Sequence, residues 1–252
     1  MRLLTLARDL KRRKARERRE LFVAEGLRVV EELHRSRLPV RGLLVSDTAI
    51  SVPRVQPLHE GLASRGVPVE VVSEREFRSA AHTEHPQGVL AIAPVPERAL
   101  ASLELPDRFR LLALDAVQDP GNAGTLLRTA AALGTLATLA LPGTVDLWNA
   151  KVVRSAMGAH FHHPPLSCTW DELGEFLRRH DAVLWGADAE GVPVAGLPAP
   201  RRLALAVGNE GGGLSPEAVR VCAQRVAIPM APGAESLNVA VATGILLYEL
   251  RP

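Results

Sequence analysis

Along the chain, apolar residues come in short runs divided by polar turns that carry glycine or proline. Residues 3–34 break this rhythm, with Leu21, Leu27, Val30 and Leu33 at helical spacing and no internal proline. That spacing predicts one helix over residues 3–34, with Gly26 its weak point. Three compact apolar runs follow at residues 42–46, 67–72 and 88–93. They read as strands alternating with helices, a small α/β domain over residues 1–95. Pro94, Pro96 and Pro106 then mark residues 96–107 as a linker.

The remaining stretch, residues 108–252, is more regular. Continuous apolar runs at 110–115, 136–141, 183–187, 203–207 and 226–230 predict buried strands. Helical patterns fall at 122–133, stopped by Gly134, and at 149–157, stopped by Gly158. Another helix starts at Ser215-Pro216-Glu217, where serine suits the N-cap and proline the first turn. The last helix spans 236–250 and is apolar nearly all round, so it should be buried. Strands of this kind alternating with helices imply a parallel sheet covered on both faces.

Charge adds a possible partner. The 252 residues carry a net charge of +2, unevenly spread. Residues 1–100 hold 18 Lys/Arg against 13 Asp/Glu, and the rest 12 against 15. Arg8, Lys11, Arg12, Arg13, Lys14, Arg16, Arg18 and Arg19 crowd together beside only Asp9 and Glu17. Such a block attracts nucleic acid by counterion release. A solvated helix face is the plainer alternative. Nine aromatic residues in all are too few for a base-stacking platform, so RNA would be gripped by backbone and shape.

Composition mostly excludes. Cys168 and Cys222 are the only cysteines, which rules out a disulfide framework and a four-thiolate zinc site. His160, His162 and His163 cluster without carboxylates at ligand spacing and read as surface or packing residues, so no metal is expected. No apolar run reaches the roughly 20 residues of a membrane helix. No signal-peptide core follows the arginine-rich start, and a cytoplasmic protein is expected.

Three glycine-rich turns each join a strand to a helix: residues 119–124, 208–213 and 231–236. In an open parallel sheet such turns sit at the carboxyl ends of strands, where ligands bind. One such turn would be an ordinary joint; three in one domain point to a ligand. Neither a phosphate-cradling P-loop nor the dinucleotide fingerprint Gly-x-Gly-x-x-Gly occurs. Cations near the turns are sparse, with Arg128 standing out. A neutral or cationic adenosine-type cofactor on backbone amides fits better than a triphosphate.

The turns lie in three longer motifs. These are Gln118-Asp-Pro-Gly-Asn-Ala-Gly-Thr-Leu-Leu-Arg128-Thr-Ala, Leu205-Ala-Val-Gly-Asn-Glu-Gly-Gly-Gly-Leu214, and Ile228-Pro-Met-Ala-Pro-Gly-Ala-Glu-Ser-Leu-Asn-Val-Ala-Val-Ala242. In order and spacing they resemble the SpoU (TrmH) family of SPOUT-class RNA 2′-O-ribose methyltransferases. Lys151-Val-Val-Arg-Ser-Ala-Met-Gly158 looks like a fourth family segment. Residues 8–95, ending in Glu84-His-Pro-Gln-Gly-Val-Leu90, are similar to the family's frequent N-terminal substrate-binding domain, an α/β module related to some ribosomal proteins.

The resemblance implies an α/β, parallel-sheet SPOUT domain with a deep trefoil knot, preceded by the smaller RNA-binding domain. It implies S-adenosylmethionine as cofactor, bound at Val207, Gly208, Gly213, Ile228, Met230 and Leu237. It puts Asn122, Arg128, Glu210, Ser236 and Asn238 on catalytic positions. It implies a homodimer acting on structured RNA, with ribosomal RNA favoured and transfer RNA the alternative. The eight clustered cations and Arg154 are the candidate RNA contacts.

The residues also speak for themselves. A ribose hydroxyl is a poor nucleophile until its proton leaves, so the task is alignment plus proton removal. No histidine lies in the three turns. Arg128 is the only cation in the three motifs, and arginine is normally locked protonated. Either a desolvated Arg128 acts as base, or it stabilises the developing alkoxide. Asn122, Ser236 and Asn238 could equally be helix caps, and Glu210 a loop support. A non-catalytic RNA-binding or ribosome-assembly protein is the competing class; the five catalytic-type residues argue against it. A dinucleotide oxidoreductase is a third reading, opposed by the missing fingerprint.

Overall fold

Glu20 decides where the first helical stretch stops. In the computed structural model, which describes residues 2–36, 38–163, 165–233 and 236–251, its backbone is left-handed at φ 52°. The helix expected over residues 3–34 is therefore three pieces and a strand: α1 (Leu3–Asp9), α2 (Arg13–Arg19), β1 (Leu21–Glu25) and α3 (Leu27–Arg35). Gly26, at φ 100°, turns the chain from β1 into α3 in a conformation L side chains rarely adopt. The apolar pattern misled because β1 is buried on both faces. Phe22 and Ala24 enter one core cluster, Leu21 and Val23 another. A strand buried on both faces has no alternation to betray it.

The first compact unit is Met1–Glu97 together with Trp148–His162. After α3 it contains β2 (Gly42–Ser46), α4 (Gln56–Ser64), β3 (Val69–Val72), α5 (Glu74–Ala80) and β4 (Val89–Pro94). Its sheet runs β1-β4-β2-β3, antiparallel except for the parallel β2–β3 pair. Ser73 starts α5 with a capping box closed by Glu76.

The second unit is Arg98–Leu147 together with His163–Pro252. It opens with β5 (Phe109–Leu114), α6 (Pro120–Ala132) and β6 (Ala137–Ala140). The chain then rejoins the first unit through α7 (Ala150–Ser155). There Phe22 faces Trp148 at a ring-centroid distance of 4.6 Å and Phe161 at 6.1 Å, and Val153 joins the same core. Back in the second unit come β7 (Pro165–Ser167), α8 (Trp170–Arg179), β8 (Val183–Pro193), β9 (Arg202–Val207), α9 (Pro216–Val221), β10 (Gln224–Ala227) and α10 (Val239–Glu249).

The second sheet runs β10-β8-β9-β5-β6-β7, with every neighbouring pair parallel. β7 was not read as a strand in the sequence, and two of the strands that were read differ from that reading by more than one residue. β8 continues to Pro193 because its far half pairs with β10 after a register shift at Arg225/Val226. β10 stops at Ala227, leaving Ile228 and Met230 in the following loop. α10 begins at Val239 rather than residue 236, because the Asn238 side chain accepts from the Ala240 and Val241 amides. His160 and His163 are buried, and His163 bonds the Thr138 hydroxyl at 2.8 Å.

Candidate functional site

The carboxyl ends of β5, β9 and β10 deliver their three turns to one cavity of about 490 Å³ in the second unit. The first turn is fixed by its own helix start. Asp119 caps α6, its carboxylate accepting from the Asn122 amide at 2.7 Å, and Pro120 fills the first position. Asn122 is thereby placed on the cavity wall.

The second turn is held by Asn209. Its backbone exchanges hydrogen bonds with Gly213 at 2.8 and 2.9 Å. Its side-chain oxygen accepts from the Gly211 and Gly212 amides, both at 3.0 Å, and its amide nitrogen donates to the Ala116 carbonyl at 3.0 Å. Gly208 sits beneath this loop. A Cβ there would lie 2.1 Å from Gly213 carbonyl atoms and 2.4 Å from the Leu214 nitrogen, so only glycine fits. From the third turn, Ile228, Met230, Ser236, Leu237 and Asn238 reach the cavity; Ala234 and Glu235 lie outside the described residues.

Glu210 joins the turns. Its carboxylate accepts from the Gln118 amide at 3.2 Å, the Asp119 amide at 3.1 Å and the Asn122 side chain at 3.0 Å. The Asn122 oxygen in turn accepts from the Asn238 side chain at 3.0 Å. One chain of bonds therefore links all three motifs. Burial alone would raise the Glu210 carboxyl, but the bonds from Asn122 and the loop amides outweigh it and hold the group below its ordinary value. It stays ionised at neutral pH.

All six residues expected around a cofactor line this cavity: Val207, Gly208, Gly213, Ile228, Met230 and Leu237. So do Asn122, Glu210, Ser236 and Asn238. Arg128 does not. It lies exposed on α6, and its side chain has no hydrogen bond or ion pair among the described residues. The cavity also includes Asp188 of β8, paired with Arg225 at 2.9 Å, and Thr243 and Leu246 of α10. The sequence reading ended the strand that is β8 at residue 187 and so missed the first of these. Asn209, the loop's anchor, was read only as part of a glycine run.

In the first unit, the basic block is not one solvent-facing array. Arg16 is buried and donates to the Leu10 and Lys11 carbonyls, so it braces the joint between α1 and α2 rather than facing RNA. Arg12, Arg18 and Arg19 surround Asp9, and Arg13 pairs with Glu17. Arg8 and Lys11 reach the Ser79 hydroxyl and carbonyl. These six exposed cations, with Lys14, still present a basic surface. Arg154 sits on α7, half-buried.

Comparison with known proteins places this geometry. Residues 110–248 match the profile of the SpoU rRNA Methylase family, and residues 5–91 that of the MRM3-like substrate binding domain. The 23S rRNA (guanosine(2553)-2′-O)-methyltransferase RlmP of Bacillus subtilis is 35% identical over 240 residues, spanning 95% of this chain and 92% of the relative. The 23S rRNA (guanosine-2′-O-)-methyltransferase RlmB of Bordetella pertussis is 38% identical over 185 residues, 71% of this chain and 75% of the relative. Among solved structures, an AdoMet-bound rRNA methyltransferase from Sinorhizobium meliloti superposes with TM-score 0.87 at 28% identity, covering 98% of this chain and 93% of that one. The SpoU methyltransferase AviRb from Streptomyces viridochromogenes, in complex with AdoMet, gives 0.87 at 26% identity, covering 99% and 97%. Matched along more than half its length by the family profile, and nearly end to end by a relative, this chain belongs to the SpoU rRNA methylase family.

Proposed function

We propose that the chain methylates a ribose 2′-hydroxyl of RNA with S-adenosylmethionine as donor, and that ribosomal RNA is its substrate. The observation that carries this reading is the cavity where Asn122, Glu210 and Asn238 of three separate motifs are hydrogen-bonded in series. A protein that only bound RNA would have no use for such an arrangement. The names of its relatives, ribosomal RNA 2′-O-methyltransferases among them, support the substrate class.

The cavity suits the cofactor. Gly208 lets the second turn close on itself beside the cavity, where any side chain would collide with Gly213, and apolar Val226, Ile228 and Leu246 can flank an adenine while loop amides meet polar edges. Bound there, S-adenosylmethionine supplies a sulfonium methyl with a neutral leaving group. Glu210 holds the first and second turns together, and Asn122 and Asn238 present amides beside the cavity to orient the ribose. Ser236 is a further substrate contact. Arg128 is the cation that stabilises the 2′-oxygen as its proton passes to solvent water. The family's knot is part of this proposal, as is a cytoplasmic location; among the described residues no helix is long and apolar enough to cross a membrane.

A homodimer completes the reading. Val241, Ile245 and Tyr248 form an apolar row on α10, 53%, 38% and 51% exposed. Arg128 lies on α6, the helix against which α10 packs at Gly244 and Thr129, and does not line its own chain's cavity. A second copy on this surface gives the row a partner and Arg128 a route to a reacting oxygen.

The test is transfer of labelled methyl from S-adenosylmethionine to unmodified ribosomal and transfer RNA, with Arg128→Ala beside the wild type. The expected product is on ribosomal RNA, resists alkaline cleavage at one linkage, and falls at least a hundredfold in the variant. Product on transfer RNA alone overturns the substrate; no product on either, with cofactor still bound, favours a binding-only role.

A further inference from the structure

A second cavity, of about 300 Å³, lies in the first unit where the α5–β4 loop, the start of α3 and the end of α7 converge. Its wall includes Arg28, Arg154, Gln87 and Glu25. The Nη1 nitrogen of Arg154 is buried and has no hydrogen-bond partner. A buried guanidinium nitrogen left unpaired costs free energy that a folded chain normally avoids. Arginine's planar fork matches a phosphate, and Arg28 adds a second cation at the rim.

Backbone groups point the same way. α3 is nine residues long, and the Gln87 side chain accepts from its first amide, Leu27, at 2.8 Å. The next two amides, of Arg28 and Val29, precede the first intrahelical donor, Val30, and both residues line the cavity. Glu25 is the one acid on the wall. Its two oxygens are engaged by the His82 amide and the Thr83 hydroxyl, both at 2.6 Å. His82 stands behind them, held neutral by burial at about 4.

We propose that this cavity is a phosphate site, gripped by Arg154 and Arg28 and by the first free amides of α3, and that a backbone phosphate of the substrate RNA occupies it. The second half of the statement rests on the RNA methyltransferase reading; the first does not. Arg154 comes from the fourth motif noted in the sequence, yet it is built into the first unit. The site thus gives that motif a task in holding substrate. Glu25 limits affinity for a free anion, so grip depends on the additional phosphates that a polynucleotide brings.

Two probes separate the halves. The first is inorganic phosphate, read by its effect on the thermal midpoint of wild type, Arg154→Ala, Arg154→Lys and Arg28→Ala. Wild type should gain stability with phosphate, Arg154→Ala should lose that response, and Arg154→Lys should keep part of it. The second is a 23S ribosomal RNA transcript, with affinity measured across a range of salt. Arg154→Ala should weaken binding about tenfold and flatten the slope of log affinity against log salt by about 1. Arg28→Ala, at an exposed position, carries the test if Arg154→Ala does not fold. A phosphate response and a salt slope in the variants equal to wild type overturn the site. A phosphate response that depends on Arg154, in a protein that binds no RNA, overturns RNA as the source and the functional reading with it.

Discussion

Glu210 carries more of the site than its place in an exposed glycine loop suggests. Three donors converge on two oxygens, and only a carboxylate accepts from all of them without offering a proton in return. In Glu210→Gln, an amide oxygen can retain the Asp119 and Asn122 donors, but the NH₂ group then faces the Gln118 N–H. Losing one bond and opposing two donors costs about 1–2 kcal/mol. The expected result is a roughly tenfold drop in single-turnover rate, together with weaker cofactor binding by calorimetry. Unchanged values of both would show that the bond network does not order the site. The sign of the pH effect follows from the lowered carboxyl. The network's contribution is complete above the ordinary glutamate value and is lost only as pH falls through the lower folded value. Wild-type activity should therefore hold down to the normal carboxylate range, and no acid limb near neutrality should trace to this residue.

α10 shows how an element can be read correctly and still be understood only in part. Its composition predicted burial, and Ala240, Thr243, Leu246 and Leu247 are buried. Val241, Ile245 and Tyr248 are not, and they lie at i, i+4 and i+7 on one exposed face. A charge in that row should remove the proposed self-association. Val241→Glu is expected to sediment as a monomer at concentrations where wild type is a dimer, with its thermal midpoint little changed. A variant that remains dimeric would mean the row faces something else. Elements whose signals are local were legible. The turns at Ser215 and Gly134 follow from capping chemistry, and the three motifs deliver the residues around the cavity, but the helix expected from residue 122 starts at Pro120, because Asp119 and not Asn122 is its cap. β1 was not legible, because burial on both faces erased its period. The start of α10 was misplaced by three residues because Asn238, not Ser236, is the cap. Arg128 was legible as a cation near a turn, but sequence could not say that it lies outside the lining of its own chain's cavity.

At the scale of the molecule, residues 148–162 matter most. Sequence order assigns them to the methyltransferase part, since they lie between β6 and β7 of its sheet. Packing assigns them to the first unit, where Trp148, Val153 and Phe161 complete a core around Phe22. No local pattern distinguishes an apolar helix that buries itself in one unit from one that buries itself in another; only the tertiary partner decides. The two units are therefore joined twice, at residues 97–98 and through the 148–162 excursion, and cutting the first connection does not separate them cleanly. A chain of residues 98–252 would carry Trp148, Val153 and Phe161 without their partners. Three such side chains left in water forfeit about 1.5–3 kcal/mol each, and a contiguous apolar patch of this kind drives association. That fragment is expected to aggregate or to bind a hydrophobic dye strongly. Replacing Trp148 and Phe161 together by serine in the fragment should recover soluble protein. In the full chain the same double substitution should instead lower the unfolding midpoint, by opening the core at Phe22. If the unaltered fragment is soluble, no larger than a dimer and silent to the dye, the excursion is held by the second unit's own contacts, and the double linkage between the units is wrong.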